Sequence, residues 1–496
     1  MSENDVFEGQ LRRTKIICTI GPASESTEIL EKLIDAGMNV ARLNFSHGTH
    51  EVHAKYIHLI REISKRMGAA IAILQDLQGP RVRIGSFEDG ASADLIVGQE
   101  FTLTTKPIDG TDKIVSTTYA DLPNSVSSGD SVLLDDGTIE LDVKAVRGQE
   151  VITRVVRGGE LHSKKGINLP GARINLPILT EKDRADIWFG LEHDVDYIAV
   201  SFVHNAEDLR FIRQTIRKIN PDYPCVPIIA KLEKPAAIDN LDTILEEADG
   251  VMVARGDLGV EMSPQKVPSA QKYIIERANQ SGKIVITATQ MLESMARSPR
   301  PTRAESSDVA NAIFDGTDAL MLSAETASGK YPVEAVRFMA EIALEAERHE
   351  HEWGHFKELD VPTSKNAVAL ARAARELANT LSVAAIAIFT VTGSTARLLS
   401  KERPRVPILA FTPNSSTYLR MALHWGVRPH LIQRADTVEE MISHVEESLL
   451  RFDDLEEGDQ IVLIAGMPIS EMGPANILLI HTVGSETFKR EHLAPA

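Results

Sequence analysis

Cysteine is almost missing from this chain: its 496 residues include two, Cys18 and Cys225, each beside or within an apolar, strand-like run. There is no CxxC and no Cys/His set at metal spacing, so both read as buried thiols. Basic charge is also short, with 53 Lys and Arg against 71 Asp and Glu and a net charge of −18. No cationic excess is left to neutralise a phosphate backbone, which argues against nucleic acid as a partner. An anionic substrate would need a local basic pocket set against the overall field. No apolar run approaches the ~18 residues needed to cross a bilayer, and the acidic, polar start MSENDVFEGQ is unlike a signal or transit peptide. A cytoplasmic protein with no membrane partner is expected. Glycosylation-type tripeptides at Asn44, Asn279 and Asn414 carry no weight without secretion. Neither a Walker A pattern nor a Ser/His/Asp triad is present, so P-loop and acyl-transfer mechanisms have little support.

What the chain does have is β–α alternation, over a length that implies two to four domains. Apolar runs predict strands at Lys15–Ile20, Asn39–Asn44, Ala70–Asp76, Tyr197–Phe202, Val226–Lys231, Gly250–Ala254, Ile284–Thr289 and Ala319–Ser323. Helix-sized segments such as Thr27–Ala36 and Glu51–Met67 separate most of them. Eight parallel strands with intervening helices is the arithmetic of a (β/α)8 TIM barrel, here over 12–80 and 180–350. The exception is the gap 81–179, rich in Val, Thr, Ile and Gly, with turn signals at Glu88-Asp-Gly90, Asp109-Gly110, Asp136-Gly137 and Gly158-Gly159. It reads as an all-β module inserted in a βα loop, where a lid is the usual role. After Glu341 a charged helix ends in Arg348-His-Glu-His-Glu-Trp-Gly-His355. Its three histidines suggest either a metal or, more plainly, a solvated linker end. Residues 351–496 then form a C-terminal α/β domain, with strands at Ala384–Thr390, Val406–Phe411, Val427–Ile432, Ile461–Ala465 and Ile477–Thr482.

The barrel strands end in polar side chains: Arg42 and Asn44, Asp76, Ser201, Lys231 and Glu233, Asp257, Thr289, Ser323 and Glu325. Catalytic groups of barrel enzymes cluster at these ends. A strand interior does not tolerate an unpaired Lys or Glu, so Lys231 and Glu233 are expected at the end of their strand, where solvent or a ligand meets them. Glu233 and Asp257 are hard oxygen ligands suited to Mg²⁺ or Mn²⁺. Lys231 and Arg42 can neutralise phosphate, with Arg83 and Lys182 available from the lid hinges. The segment from Gly256 to Gly259 is expected to open a short helix whose N–H groups face an anion. Thr289 can hydrogen-bond that anion or relay a proton.

Six ordered blocks resemble the signature of the pyruvate kinases: Arg42-Leu-Asn-Phe-Ser-His47-Gly, Asp76-Leu-Gln-Gly-Pro, Ile229-Ala-Lys-Leu-Glu-Lys, Met252-Val-Ala-Arg-Gly-Asp-Leu-Gly, Thr289-Gln-Met-Leu-Glu-Ser-Met295 and Met321-Leu-Ser-Ala-Glu-Thr326. The resemblance covers nearly the whole chain and is similar to bacterial members in its short start. It implies phosphoryl transfer from phosphoenolpyruvate to ADP, giving ATP and an enolpyruvate that takes a proton to become pyruvate. Lys231 would stabilise the phosphoryl group in flight and the enolate, Arg42 and Arg83 would bind phosphate oxygens, and Thr289 would lie near the methylene carbon. Gly256 and Asp257 would contribute to the substrate site, Asn44, His47, Arg83 and Lys182 to the nucleotide site, and Glu233 and Asp257 to Mg²⁺. Asn44, Ser46, Asp76 and the carbonyl of Leu77 match a K⁺ site. K⁺-dependent members, however, carry a glutamate where this chain has Arg81, and K⁺-independent ones a lysine, so no K⁺ requirement is expected.

The resemblance also implies a homotetramer, with Pro299–Glu305 similar to an intersubunit loop. Thr392-Gly393-Ser394-Thr395 resembles the family's effector phosphate pocket at a helix start. The late loop Gly466–Gly473 offers Glu471 and no cation, leaving Arg428 as the nearest basic anchor by sequence, so a monophosphate effector is expected. Two rivals remain. A metal-dependent barrel aldolase working through a pyruvate enolate would have no use for a nucleotide-sized lid. A catalytically dead barrel kept for binding would not need Lys231, Glu233, Asp257 and Thr289 intact.

Overall fold

The computed structural model describes residues 12–88, 92–171, 176–221, 226–355, 359–360, 366–451, 455–469 and 473–485. Cys225, the end of the Glu88-Asp-Gly90 turn and Glu471 therefore lie outside the described residues.

Three strands, β1 (Lys15–Thr19), β2 (Val40–Asn44) and β3 (Ala72–Asp76), open the barrel. The next eight lie in the insertion: β4 (Ser92–Leu95), β5 (Glu100–Thr104), β6 (Ile114–Ser116), β7 (Ser131–Leu134), β8 (Ile139–Arg147), β9 (Glu150–Arg157), β10 (Gly159–His162) and β11 (Ile167–Asn168). The barrel resumes with β12 (Tyr197–Val200), β13 (Ile228–Leu232), β14 (Gly250–Ala254), β15 (Ile284–Ala288) and β16 (Ala319–Leu322), closing in the order β1-β16-β15-β14-β13-β12-β3-β2, every pair parallel. β17 (Ala385–Phe389), β18 (Ile408–Thr412), β19 (Val427–Leu431), β20 (Gln460–Ala465) and β21 (Ile477–Thr482) form a separate sheet, ordered β19-β18-β17-β20-β21, with only β21 antiparallel.

The barrel strands are buried on both faces, which is why they read as continuous apolar runs rather than alternating ones. Alternate residues divide between two cores. One set, including Ile16, Ile73, Ile228 and Val251, packs against the outer helices. The other, including Ile17, Leu74, Ile229 and Met252, fills the barrel, and Ala422 and Leu423 of the C-terminal domain pack against it. The N-terminal end of the barrel is thus stoppered, and chemistry is left the opposite end. Tyr197 fastens the stopper by donating its hydroxyl proton to Arg420 O at 2.8 Å.

The insertion has its own core, in which Phe101, Leu103, Leu141 and Val151 are fully buried. It forms a six-stranded sheet, β11-β7-β8-β9-β5-β6, and the ribbon β10-β4. It is not wholly β: Leu122–Ser125 makes one helical turn begun by Leu122-Pro123, a first-turn proline whose missing N–H costs nothing there.

Strand limits differ from the sequence reading by a residue or two at several ends. The informative case is β13, which runs to Leu232 and so encloses Lys231. Lys231, expected as the last residue of its strand, is followed there by Leu232 and so stands just inside the end, its charge paired in place. The histidine run is corrected in part. His349 stacks on Trp353 at 4.6 Å and pairs with Glu345 and Glu352, as a linker end would, but Glu350 is only 2% exposed beside Arg13. No group of three metal-ligating side chains occurs among the described residues.

Candidate functional site

Lys231 stands at the centre of the barrel's C-terminal mouth. Its Nζ lies 2.8 Å from Glu233 Oε1 and 3.2 Å from Asp76 Oδ1, and it donates to Ser201 Oγ at 2.7 Å. Arg42, from β2, grips the other Asp76 oxygen through Nε and Nη2, both at 2.7 Å, and Thr19 Oγ1 at 2.9 Å. Glu233 leaves β13 with Oε2 accepting the Phe202 N–H at 2.8 Å. Burial pushes the Lys231 ammonium down, but Asp76, Glu233 and Asp257 outweigh it, so the pKa ends above the ordinary lysine value. Asp76 goes the other way: burial would raise it, yet Lys231 and Arg42 hold it below the carboxylate range. Glu233 stays raised, because burial is reinforced by the charge of Asp257 and only partly offset by Lys231. The mouth therefore keeps an ammonium and a guanidinium beside one carboxylate, Glu233, that is short of positive charge.

Asp257 lies in the first turn of the helix Arg255–Glu261, directly after β14, with Arg81 Nη2 3.4 Å from its Oδ1. The same helix brings Gly256 to Thr289: the Gly256 N–H donates to Thr289 Oγ1 at 2.8 Å, and that hydroxyl donates to Ala288 O at 2.6 Å. The Gly256 N–H is thus already paired with Thr289. Thr289 and Gln290 both take left-handed backbone, at φ 67° and 54°, a costly conformation for a β-branched residue. Arg255 pins this turn, donating to Thr289 O at 2.7 Å and to Asp308 at 2.6 and 2.8 Å. Sequence reasoning gave Arg255 no role, although its place between strand and Gly-Asp was the available signal. Of the remaining strand-end residues, Glu325 ties loops together by accepting from the Leu292 and Ser323 N–H groups.

Several candidates are directed elsewhere. Lys182 donates to Phe45 O at 2.7 Å and to Asp186 Oδ2 at 2.6 Å. Arg83 donates to Lys164 O at 2.9 Å inside the insertion. His47 is exposed after β2, its carbonyl accepting from His53 Nε2. Asn44 Oδ1 accepts the Ser46 N–H at 3.2 Å, and Leu77 O accepts from Ser201 Oγ at 2.9 Å. In the C-terminal domain, Thr392 and Ser394 hydroxyls lie 3.0 Å apart, before the helix Ser394–Lys401 that buries Thr395. Gly393 provides the αL cap at φ 78°. Arg428 is not their neighbour. It sits early in β19, level with Leu409 and Ala387, whereas Thr392 follows the end of β17. It lines an interdomain cavity of about 1070 Å³ with Arg12, Lys15 and Arg405.

The donor set fits a divalent metal. Glu233 Oε1 and Asp76 Oδ1 are buried, and Lys231 Nζ faces both as an ion-pair partner at 2.8 and 3.2 Å. Glu233 and Asp257 follow the neighbouring strands β13 and β14, and two such carboxylates suit a hard cation that takes its other oxygens from substrate and water.

A family model described as "Pyruvate kinase, barrel domain" matches residues 11–336, and "Pyruvate kinase, alpha/beta domain" matches 368–481. The chain belongs to the pyruvate kinase family. Its activity is the pyruvate kinase reaction, a phosphotransfer, and such enzymes generally need a divalent metal. The pyruvate kinase of Geobacillus stearothermophilus is 48% identical over 478 residues, covering 95% of this chain and 80% of that one. That of Staphylococcus saprophyticus is 47% identical over 489 residues, covering 97% and 82%. A crystal structure of a pyruvate kinase from Cryptosporidium parvum superposes with a TM-score of 0.88 at 38% identity, covering 97% of this chain and 98% of that one.

Proposed function

We propose that the barrel mouth binds phosphoenolpyruvate and transfers its phosphoryl group to ADP, giving ATP and pyruvate. The observation that carries this reading is the buried Lys231 held between Asp76 and Glu233. A loose phosphoryl transition state needs positioning and charge more than covalent chemistry. Lys231 faces the phosphoryl group and then the enolate oxygen. Arg42, locked by Asp76 and Thr19, neutralises phosphate oxygens, and Arg83 joins it by leaving Lys164. Thr289, fixed by Arg255 and Gly256, sits by the methylene carbon where the proton arrives, while Gly256 and Asp257 border the substrate carboxylate. Asn44, His47 and Lys182 serve the nucleotide on the β2 side. Glu233 and Asp257 would hold Mg²⁺ (or Mn²⁺), which supplies Lewis-acid charge to phosphoryl oxygens when bound. Pyruvate and ATP forming together, only when ADP is added, is the expected result; pyruvate released without ADP would contradict it.

The units divide as 12–80 with 180–350, 81–179 and 351–496, the second acting as a lid. No helix among the described residues is long and apolar enough to cross a membrane; we place the enzyme in the cytoplasm on its membership of a glycolytic enzyme family.

Arg81 supports a reaction independent of K⁺. Asp76 is already occupied by Arg42 and Lys231, and Leu77 O and Asn44 Oδ1 have donors. A monovalent cation about 4 Å from a guanidinium is opposed by on the order of 4 kcal/mol at an effective dielectric of 20. Activity is expected to persist in Na⁺- and K⁺-free buffer, and a collapse restored by K⁺ would overturn this.

A homotetramer is supported by the exposed apolar Trp353 beside Phe314, near the Pro299–Glu305 loop. Light scattering should give four copies at micromolar concentration; a monomer would refute it. The Thr392–Thr395 loop, with Arg428 remote from it, suits a phosphorylated monophosphate effector. Activation by fructose 1,6-bisphosphate alone, unaffected by Thr392→Glu, would exclude both site and ligand class.

A further inference from the structure

Several contacts between the insertion and the barrel gather on one face of one short helix. In Arg255–Glu261, Asp257 and Glu261 stand four residues apart and so share a face. Near the insertion's first join, Arg81 reaches Asp257 at 3.4 Å. From β11, near its far join, Asn168 Nδ2 donates to Glu261 Oε1 at 2.9 Å. Lys234, following β13, lies 3.9 Å from the same oxygen, and the Glu261 side chain is only 5% exposed. The turn between β7 and β8 also comes close to this helix: a Cβ built on Gly137 would meet Val260 Cγ1 at 3.5 Å. Between the two bodies is a cleft of about 70 Å³, lined by Arg81, Asn168, Phe202, Asp257 and Glu261 among others. It has room for a few waters, so the two bodies are closely apposed there.

We propose that Glu261 is a positioning residue, the barrel-side anchor of the insertion, which receives Asn168 when the insertion closes. A buried carboxylate is costly to leave half-paired. Opening, which removes Asn168, leaves Glu261 with Lys234 alone, so the same helix that carries Asp257 favours the closed position. Closure is thereby coupled to the metal-ligand carboxylate one helical turn away. The inference rests on the lid reading above.

The test uses the full chain carrying Asn168→Ala, Glu261→Ala, both together, and Glu261→Gln. Loss of one hydrogen bond to a charged group is worth about tenfold. Either alanine is expected to raise the KM for ADP by about that factor, with the double variant no worse than the singles, as for partners in one contact. Glu261→Gln, which keeps an acceptor for Asn168, should recover most of the loss. Exchange of the pyruvate methyl protons with solvent, which needs no ADP, should stay within about twofold, because it depends on the barrel residues alone. Deuterium uptake should rise around Arg81 and Asn168. Additive effects, an unchanged KM for ADP in Asn168→Ala, or methyl exchange falling in step with transfer would each overturn the proposal. Undiminished transfer in a chain lacking 81–179 would instead remove the lid reading itself, whatever the Glu261 variants do.

Discussion

Lys231→Met is expected to lower kcat by about a thousandfold or more, the scale of losing a preorganised charge aimed at the transition state. The KM for phosphoenolpyruvate should move far less, because Arg42 remains locked between Asp76 and Thr19. The substitution has a second effect, on stability. It strands Glu233 in the barrel mouth, where it is fully buried, while Asp76 keeps Arg42, and breaking a buried pair on one side costs about 3–5 kcal/mol. Added divalent metal should restore part of that stability in the variant and add less to the parent. Steady-state kinetics and thermal unfolding with and without Mg²⁺ check both parts. A kcat within tenfold of the parent would mean that Lys231 serves the fold alone.

Replacing residues 81–179 with a short loop is expected to leave a folded barrel with almost no transfer to ADP. The barrel should survive because the two joins already meet: the Gly79 N–H donates to Asp183 Oδ1 at 3.0 Å. Asp183 also completes a capping box with Thr180, so the helix Glu181–Glu192 starts without help from the insertion. Positioning two reactants and excluding water contribute several powers of ten to such reactions, so a loss of at least about a thousandfold is expected. Circular dichroism and unfolding cooperativity report on the fold, and pyruvate methyl exchange on the barrel mouth. Near-normal turnover would show that the insertion is not a lid.

The barrel was legible because its strands are buried on both faces, so each announces itself as an apolar run stopped by charge. Lys231, Glu233 and Asp257 were legible for the same reason, as charges where packing alone would not place them. What could not be read was direction. Nothing in the spacing of Lys182 tells that it turns to Asp186 and the Phe45 carbonyl, and nothing near Arg428 shows that it faces the interdomain cavity. Lys231 was placed at the very end of its strand because an unpaired charge cannot stay inside one. Its partner Asp76 comes from a distant part of the chain, so the pairing that keeps it inside β13 has no local signature. The Asn168–Glu261 contact is hidden likewise, between two polar residues 93 positions apart in separate domains.

The central claim is that Glu233 and Asp257, beside Lys231, form a single divalent-metal site at the barrel mouth. Titrating Mn²⁺ into the parent, Glu233→Gln and Asp257→Asn chains, with free Mn²⁺ followed by electron paramagnetic resonance, tests it without any turnover. Losing a supporting residue around a metal costs about 10–100-fold in affinity, so losing either ligand should weaken the one site by at least about a hundredfold. Unchanged Mn²⁺ affinity in either variant would contradict the account.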